Sequence, residues 1–356
     1  MRNHTAALLS AALFCSACTE AQQTSPAPDM AVRAKELQAL GFGMFVCWSF
    51  STFSGYEWTW GVKDVGFFNP TGFDPDDWCR AAKGAGMGYV LFLTKHHDGF
   101  CLWDTATTDR KVTKSPLHAD VLAKVREACE RHGLKLALYF SEGEFDWEDG
   151  GEHQDRGGSG YFRNGRNPKM KAAQLRELLT RYGPIEFIWF DHAVGDGGLS
   201  HADTTALVKS IQPGCFCGFN SGDQTGADIQ LRERGKAGPL NDADANGIAK
   251  KSGTEGALYR LAEFTYPILP TKSIKRGANW FYSLPENDRI CLPADVIYRD
   301  YVEAKRNGNI FSLDVGPGRD GRLRHVDVET LAQVGRYVRG EVAPPSPSPA
   351  ATDHRR

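Results

Sequence analysis

A chain of 356 residues with 41% hydrophobic and 24% charged side chains has ordinary globular composition, enough for one large domain or two small ones. Its net charge of -2 supplies no basic footprint for a nucleic-acid backbone, so nucleic acid is not an expected partner and a small or neutral substrate is favoured. Aromatic residues reach 11%, with 8 tryptophans, several of them beside Gly, Asp or Glu as around a pocket that stacks on rings, although a large core would use most of them.

The opening residues, MRNHTAALLSAALFCSAC, combine Arg2, an apolar run from Ala6 to Phe14 and small residues before Cys18, the pattern of an export signal over 1–18. The run is too short for the ~20 residues of a membrane span, and no later segment qualifies. Ser16-Ala17-Cys18 resembles a bacterial lipoprotein signal, in which Cys18 becomes the lipid-bearing first residue of the mature chain; ordinary cleavage near Ala17 is the alternative. The expected location is therefore the periplasm or an outer-membrane anchor. Residues 19–30 read as a polar Pro/Ser tether and 342–356 as a disordered tail, leaving 31–341 as the folded domain. Its seven cysteines lack paired C-x-x-C spacing, so zinc is not expected, and export would permit a disulfide.

Within the folded part, apolar runs suited to buried parallel strands alternate with helical patterns. FGMFVCW (42–48) precedes a helix opened by Asp74-Pro75-Asp76-Asp77, with an N-cap, proline at N1 and acids in the first turn. GYVLFLT (88–94) precedes a helix over 119–132, LKLALYFS (134–141) one over 168–182, and EFIWFD (186–191) one over 201–211. CFCGFNS (215–221) reads as a fifth strand, 257–281 is less regular, NIFSLDV (309–315) is a late strand, and His325 to Arg339 forms a closing helix. So many β-α units in one domain predict a (β/α) TIM-like barrel rather than an open doubly wound sheet.

A barrel carries its chemistry at the C-terminal strand ends. Polar residues stand there: Trp48 after the first strand, Lys95-His96-His97-Asp98 after the second, Ser141-Glu142 after the third and Asp191 after the fourth. Asp191 follows Phe187, Ile188, Trp189 and Phe190, and an unpaired dry carboxylate there would cost several kcal/mol, which places it facing a cleft. A helix cap before the glycine-rich turn is the alternative for Asp191, but it leaves the histidines, Glu and Trp at neighbouring strand ends unexplained. Strand alternation directs His96 and His97 to different sides, so a metal site using both is awkward.

GFGMFVCW, YEWTW, WCRAAKGAGMGYVLFLTKHHDGFCLWD, GLKLALYFS, QLRELLTRYGPIEFIWFD and NGNIFSLDVGPGRDG, in that order, resemble the α-L-fucosidases of glycoside hydrolase family 29 over nearly all of 40–340. The resemblance implies a single-domain (β/α) barrel and a retaining exo-glycosidase that releases terminal α-L-fucose from glycans without metal or organic cofactor. Its nucleophile is the Asp of the WFD motif, here Asp191. Such an enzyme needs a second carboxyl ~5–5.5 Å away to protonate the leaving oxygen. TGADIQLRERG (225–235) keeps an Asp and a Glu, Asp228 and Glu233, at the family's separation while losing its Thr-Pro, which makes Glu233 the acid/base candidate, with Glu142, Glu144 and Glu263 as rivals. The substrate pocket is expected from Trp48, Trp58, His96, His97, Tyr139, Trp189, Glu263 and Trp280.

Two departures bear on the sugar. Cys47 stands where the family's first strand carries a histidine that holds a sugar hydroxyl, and Gly222 stands near the place of an arginine after the fifth strand. The β-sandwich that often follows the barrel in that family has no clear counterpart. A carbohydrate-binding protein of weak catalysis on the same barrel, and a metal-dependent hydrolase using His96, His97 and Asp191, stay open as alternatives.

Overall fold

The structure, a computed structural model, describes Met1 and residues 27–59, 61–144, 168–192, 199–242, 259–270, 279–281 and 285–346. The signal, most of the tether and most of the tail expected from the sequence lie outside the described residues. Eight parallel strands form one sheet: β1 (Phe42–Val46), β2 (Tyr89–Lys95), β3 (Lys135–Ser141), β4 (Phe187–Asp191), β5 (Phe216–Phe219), β6 (Ile229–Glu233), β7 (Leu261–Pro267) and β8 (Ile310–Asp314). Their order is β5-β4-β3-β2-β1-β8-β7-β6, so the chain winds around and returns to its start. The seam between β5 and β6 is bridged by Asp228, whose N–H donates to Cys217 O (2.9 Å) while its Oδ1 accepts from Cys217 N (2.6 Å). The result is a nearly closed (β/α) barrel, as the alternation predicts.

Helix α1 (Met30–Leu40) precedes the barrel and the short α2 (Phe50–Ser54) follows β1; the outer ring is α3 (Pro75–Gly84), α4 (Val121–His132), α5 (Pro168–Arg181), α6 (His201–Ile211), α7 (Ala294–Arg306) and α8 (His325–Val338). The Asp74-Pro75 signal operates as expected: Asp74 caps α3 by accepting from Asp76 N with Pro75 at N1. Asp120 likewise caps α4, and Ser200 caps α6 through Asp203 N. Asp191 therefore ends a strand and, among the described residues, caps no helix. Between β5 and β6 a loop replaces the helix, and β6 and β7 are strands that the apolar pattern leaves undeclared.

Nearly every strand residue is buried, because helices cover one face and the barrel axis the other. Close approach sets one residue type: a Cβ at Gly43 would stand 2.2 Å from the Tyr89 ring, whose hydroxyl reaches Ser312 Oγ (2.7 Å) across the barrel. Among the described residues no helix is long and apolar enough to cross a membrane.

Candidate active site

The C-terminal strand ends surround a cavity of about 360 Å³. Strand alternation selects what reaches it. Phe45 from β1 and Cys47 just beyond it, Leu93 from β2, Tyr139 from β3, Trp189 and Asp191 from β4, Glu233 from β6 and Thr265 from β7 all line it, with His96, His97, Trp58, Glu57, His192, Asn220, Trp280 and Phe281 supplied by the loops that follow. Tyr139 and Trp189 sit opposite each other in register and stack at 5.5 Å, making an apolar wall continued by Phe45.

Three donors converge on Asp191. Tyr139 Oη donates to Oδ2 (2.6 Å), while the His192 N–H (2.8 Å) and Asn220 Nδ2 (2.9 Å) donate to Oδ1. Burial and the neighbouring Asp191 charge hold the Tyr139 hydroxyl well above its ordinary range, so it remains a donor. Asn220 Nδ2 also donates to Glu233 Oε2 at 3.0 Å. The two legs from one nitrogen, 2.9 and 3.0 Å, keep Asp191 Oδ1 and Glu233 Oε2 within 5.9 Å of each other, their sum. An amide directs its two hydrogens ~120° apart, which sets the separation at about 5 Å.

The arginines flanking Glu233 part ways. Arg232 is buried behind the sheet, donating to the carbonyls of Lys236 (3.1 Å) and Gly238 (2.8 Å) and to Gln230 Oε1 (3.0 Å). Arg234 turns through a left-handed φ of 51° to stand over the Trp280 ring and donate to Asn279 Oδ1. His192, directly after Asp191, has a φ of 45°. Asp191 and Glu233 are thus each followed by a strained, side-chain-bearing residue, the kind of strain that collects at functional sites.

A third carboxyl faces the cavity. Burial first, then the charges of Glu233 and Asp191, push Glu57 up to about 7, with Arg234 pulling the other way. The histidines behave differently. His97 Nδ1–H donates to Ser141 Oγ (2.7 Å), whose own proton goes to Gly143 O (2.6 Å), so the Nε2 lone pair points towards Asp191 Oδ2, 3.6 Å away. Burial keeps His97 well below its ordinary range and pushes His96 down to about 3. His96 Nδ1 is buried without a hydrogen-bond partner among the described residues, an open polar position in the pocket wall. The Cys47 thiol, raised by burial, is hydrogen-bonded to Asp314 behind it, and a Cβ at Gly222 would meet nothing within 4 Å.

The cavity thus gathers Asp191, Glu233, Trp58, His96, His97, Tyr139, Trp189 and Trp280, all expected there. Three expectations need correction. His96 and His97 lie just beyond the end of β2, where strand alternation no longer holds, and both line the cavity with ring centroids 3.9 Å apart instead of facing different sides. Trp48 is fully buried outside the cavity, stacked on Phe73 with Nε1 donating to Gly318 O (2.9 Å); alternation sends Cys47 inward and Trp48 out. Glu263 lies two residues below the pocket residue Thr265, one layer deeper in the barrel, where it accepts from Trp189 Nε1 (3.0 Å). Of the remaining rivals, Glu142 pairs with Lys171 and Glu144 with Lys95, each at 2.6 Å, buried and off the cavity. Glu57, Asn220 and His192 were not singled out in the sequence. The strand-end rule that marks Asp191 marks Asn220 equally, at the end of CFCGFNS, whereas Glu57 lies inside YEWTW without a strand to announce it.

Two carboxylates held within 5.9 Å of each other at the C-terminal mouth of a (β/α) barrel define the class: a barrel with a carboxylate pair of the kind glycoside hydrolases use. A family model described as Alpha-L-fucosidase matches residues 55–341, and this chain belongs to that family. Alpha-L-fucosidase 1 of Arabidopsis thaliana is 29% identical over 304 residues, covering 82% of this chain and 56% of its own. The plasma alpha-L-fucosidase of Rattus norvegicus is 32% identical over 340 residues, covering 84% of this chain and 67% of its own. Among solved structures, alpha-L-fucosidase isoenzyme 1 from Paenibacillus thiaminolyticus superimposes with a TM-score of 0.68 at 23% identity, covering 87% of this chain and 76% of that one, a likeness of fold. This chain spans about half the length of the Arabidopsis relative.

Proposed function

We propose that the protein hydrolyses terminal α-L-fucosides, or glycosides of an L-sugar of similar shape, with retention of configuration. The observation that carries this reading is the Asn220 amide, which ties Asp191 to Glu233 at the separation a double displacement needs. Asp191 Oδ2, which among the described residues accepts from Tyr139 alone where Oδ1 takes two hydrogen bonds, attacks the anomeric carbon. The bond to the leaving oxygen breaks as Glu233 delivers its proton there. Glu233 then takes a proton from water, whose oxygen displaces Asp191 from the glycosyl ester and releases the sugar. The Tyr139–Trp189 wall takes the apolar side of the ring, and His97 Nε2 is placed to accept a sugar hydroxyl.

A specific observation favours a second assignment of the acid. Burial pushes Glu57 up to about 7, the direction a general acid needs. Glu233→Ala and Glu57→Ala separate the two. Loss of the acid slows poor leaving groups far more than activated aryl ones, and the other variant shows no such split.

Turnover of an aryl α-L-fucoside that survives a chelator is expected. Asp191→Gly should lose several orders of magnitude of kcat with the fold intact, and azide should restore part of it as the product of inverted configuration. An Asp191→Asn protein that keeps most of its activity would refute the nucleophile assignment. Binding of fucose without turnover in the wild type would leave a carbohydrate-binding protein instead. Export with a lipid at Cys18 is proposed on the sequence of residues 1–18; palmitate label that survives Cys18→Ala would refute it.

A further inference from the structure

Three ligating side chains converge beside the reactive edge of the carboxylate. His97, Asp191 and His192 each bring one ligand atom into a group lying within 4.8 Å of one another. His97 is braced from behind, since Ser141 takes the Nδ1 proton and leaves the Nε2 lone pair 3.6 Å from Asp191 Oδ2. Ligands ~2.0–2.1 Å from a tetrahedral zinc ion are about 3.3 Å apart, close to the 3.6 Å between His97 Nε2 and Asp191 Oδ2. His192 closes the third corner. Its ring centroid is 4.1 Å from that of His97, at 80°, and its backbone holds the left-handed φ of 45°. The fourth side opens on the cavity. Two imidazoles and one carboxylate suit zinc and its neighbours rather than magnesium or calcium, and a histidine ligand fixed through its other nitrogen is how such sites are braced.

We propose that His97, Asp191 and His192 form an inhibitory site for a divalent transition metal of the zinc type, which engages Asp191 Oδ2 and blocks the pocket. The inhibitory half rests on the fucosidase reading; the binding half does not.

The full chain is titrated with Co²⁺, whose visible d–d absorption reports coordination, and then with Zn²⁺. One equivalent of low-coordinate Co²⁺, displaced by one equivalent of Zn²⁺, is expected. His192→Gly removes a ligand and relaxes the left-handed backbone, and should weaken binding at least tenfold. Ser141→Ala leaves all three ligands and removes the brace, weakening binding about 10–100-fold. With aryl α-L-fucoside as substrate, Zn²⁺ should inhibit competitively, and His192→Gly should need at least tenfold more of it. A Co²⁺ spectrum that stays that of the aquo ion, or equal affinity in His192→Gly, would overturn the site. Stoichiometric binding to a turning-over enzyme with no inhibition would overturn the inhibitory half. Binding that weakens in both variants, in a protein with no metal-free activity, would support the site while the fucosidase reading fails.

Discussion

Replacing Asn220 by alanine tests the geometry on which the mechanism depends. The side chain is half-buried and its backbone N–H stays on Phe190 O (2.8 Å), so the barrel should survive the change. Two hydrogen bonds to carboxylates, at 2.9 and 3.0 Å, are lost. Hydrogen bonds to charged groups contribute ~1.5–3 kcal/mol each, and water entering the cavity recovers part of that. A net loss of about 2–4 kcal/mol follows, which is roughly 30- to 1,000-fold in kcat/KM. The fall should lie mainly in kcat, because the amide sets the distance between two reacting groups rather than gripping the sugar. The assay is steady-state hydrolysis of an aryl α-L-fucoside, with circular dichroism to confirm the fold. A folded Asn220→Ala enzyme within threefold of the wild type in kcat would show that the bridge does not position the pair.

Glu263 is fully buried and pushed up to about 7 by that burial, from an ordinary 4.5. The native state therefore holds a proton that the unfolded chain releases between about pH 4.5 and 7, and stability falls as pH rises through that window. Glu263→Gln removes this dependence, so it should gain on the wild type by up to about 3 kcal/mol between pH 5 and 8, read from denaturant midpoints; a gap equal at both pH values would contradict the assignment. Trp48→Ala should cost about 3–5 kcal/mol with KM of the folded fraction unchanged, whereas Trp58→Ala, exposed at the rim, should change stability by less than about 0.5 kcal/mol and raise KM. Thermal melts beside kinetics distinguish them, and a raised KM in Trp48→Ala would put that ring back at the substrate. The Cys79 and Cys129 thiols, on α3 and α4, lie 3.9 Å apart, so mild oxidation should cross-link them; peptide mapping that never finds this pair joined would contradict the packing of the two helices.

What was legible in the chain was what depends on local sequence. Strands buried on both faces appear as unbroken apolar runs, which is why FGMFV, YVLFLTK, KLALYFS, FIWFD and IFSLD announce β1 to β4 and β8. Their ends mark the mouth of a barrel, and Asp191 follows from that alone. IQLRE and LAEFTYP hide the same architecture because their polar residues find partners elsewhere in the chain: Arg232 in the carbonyls after β6, Glu263 in Trp189 of β4.

Only the closed barrel decides which strand-end polar groups meet. Asn220, directly after β5, and Glu233, at the end of β6, stand at the two ends of the hydrogen-bonded order, and they reach one another because the sheet curls until those ends adjoin. Glu142 and Glu144 have the local credentials of pocket acids, yet Lys171 and Lys95 neutralise them from positions that no spacing relates to them. Trp48 falls on the wrong side of an alternation that Cys47 had already set. Periodicity is a property of neighbouring residues and survives in the sequence. The distance between two carboxylates depends on the tilt and closure of all eight strands together, and it exists only in the folded barrel.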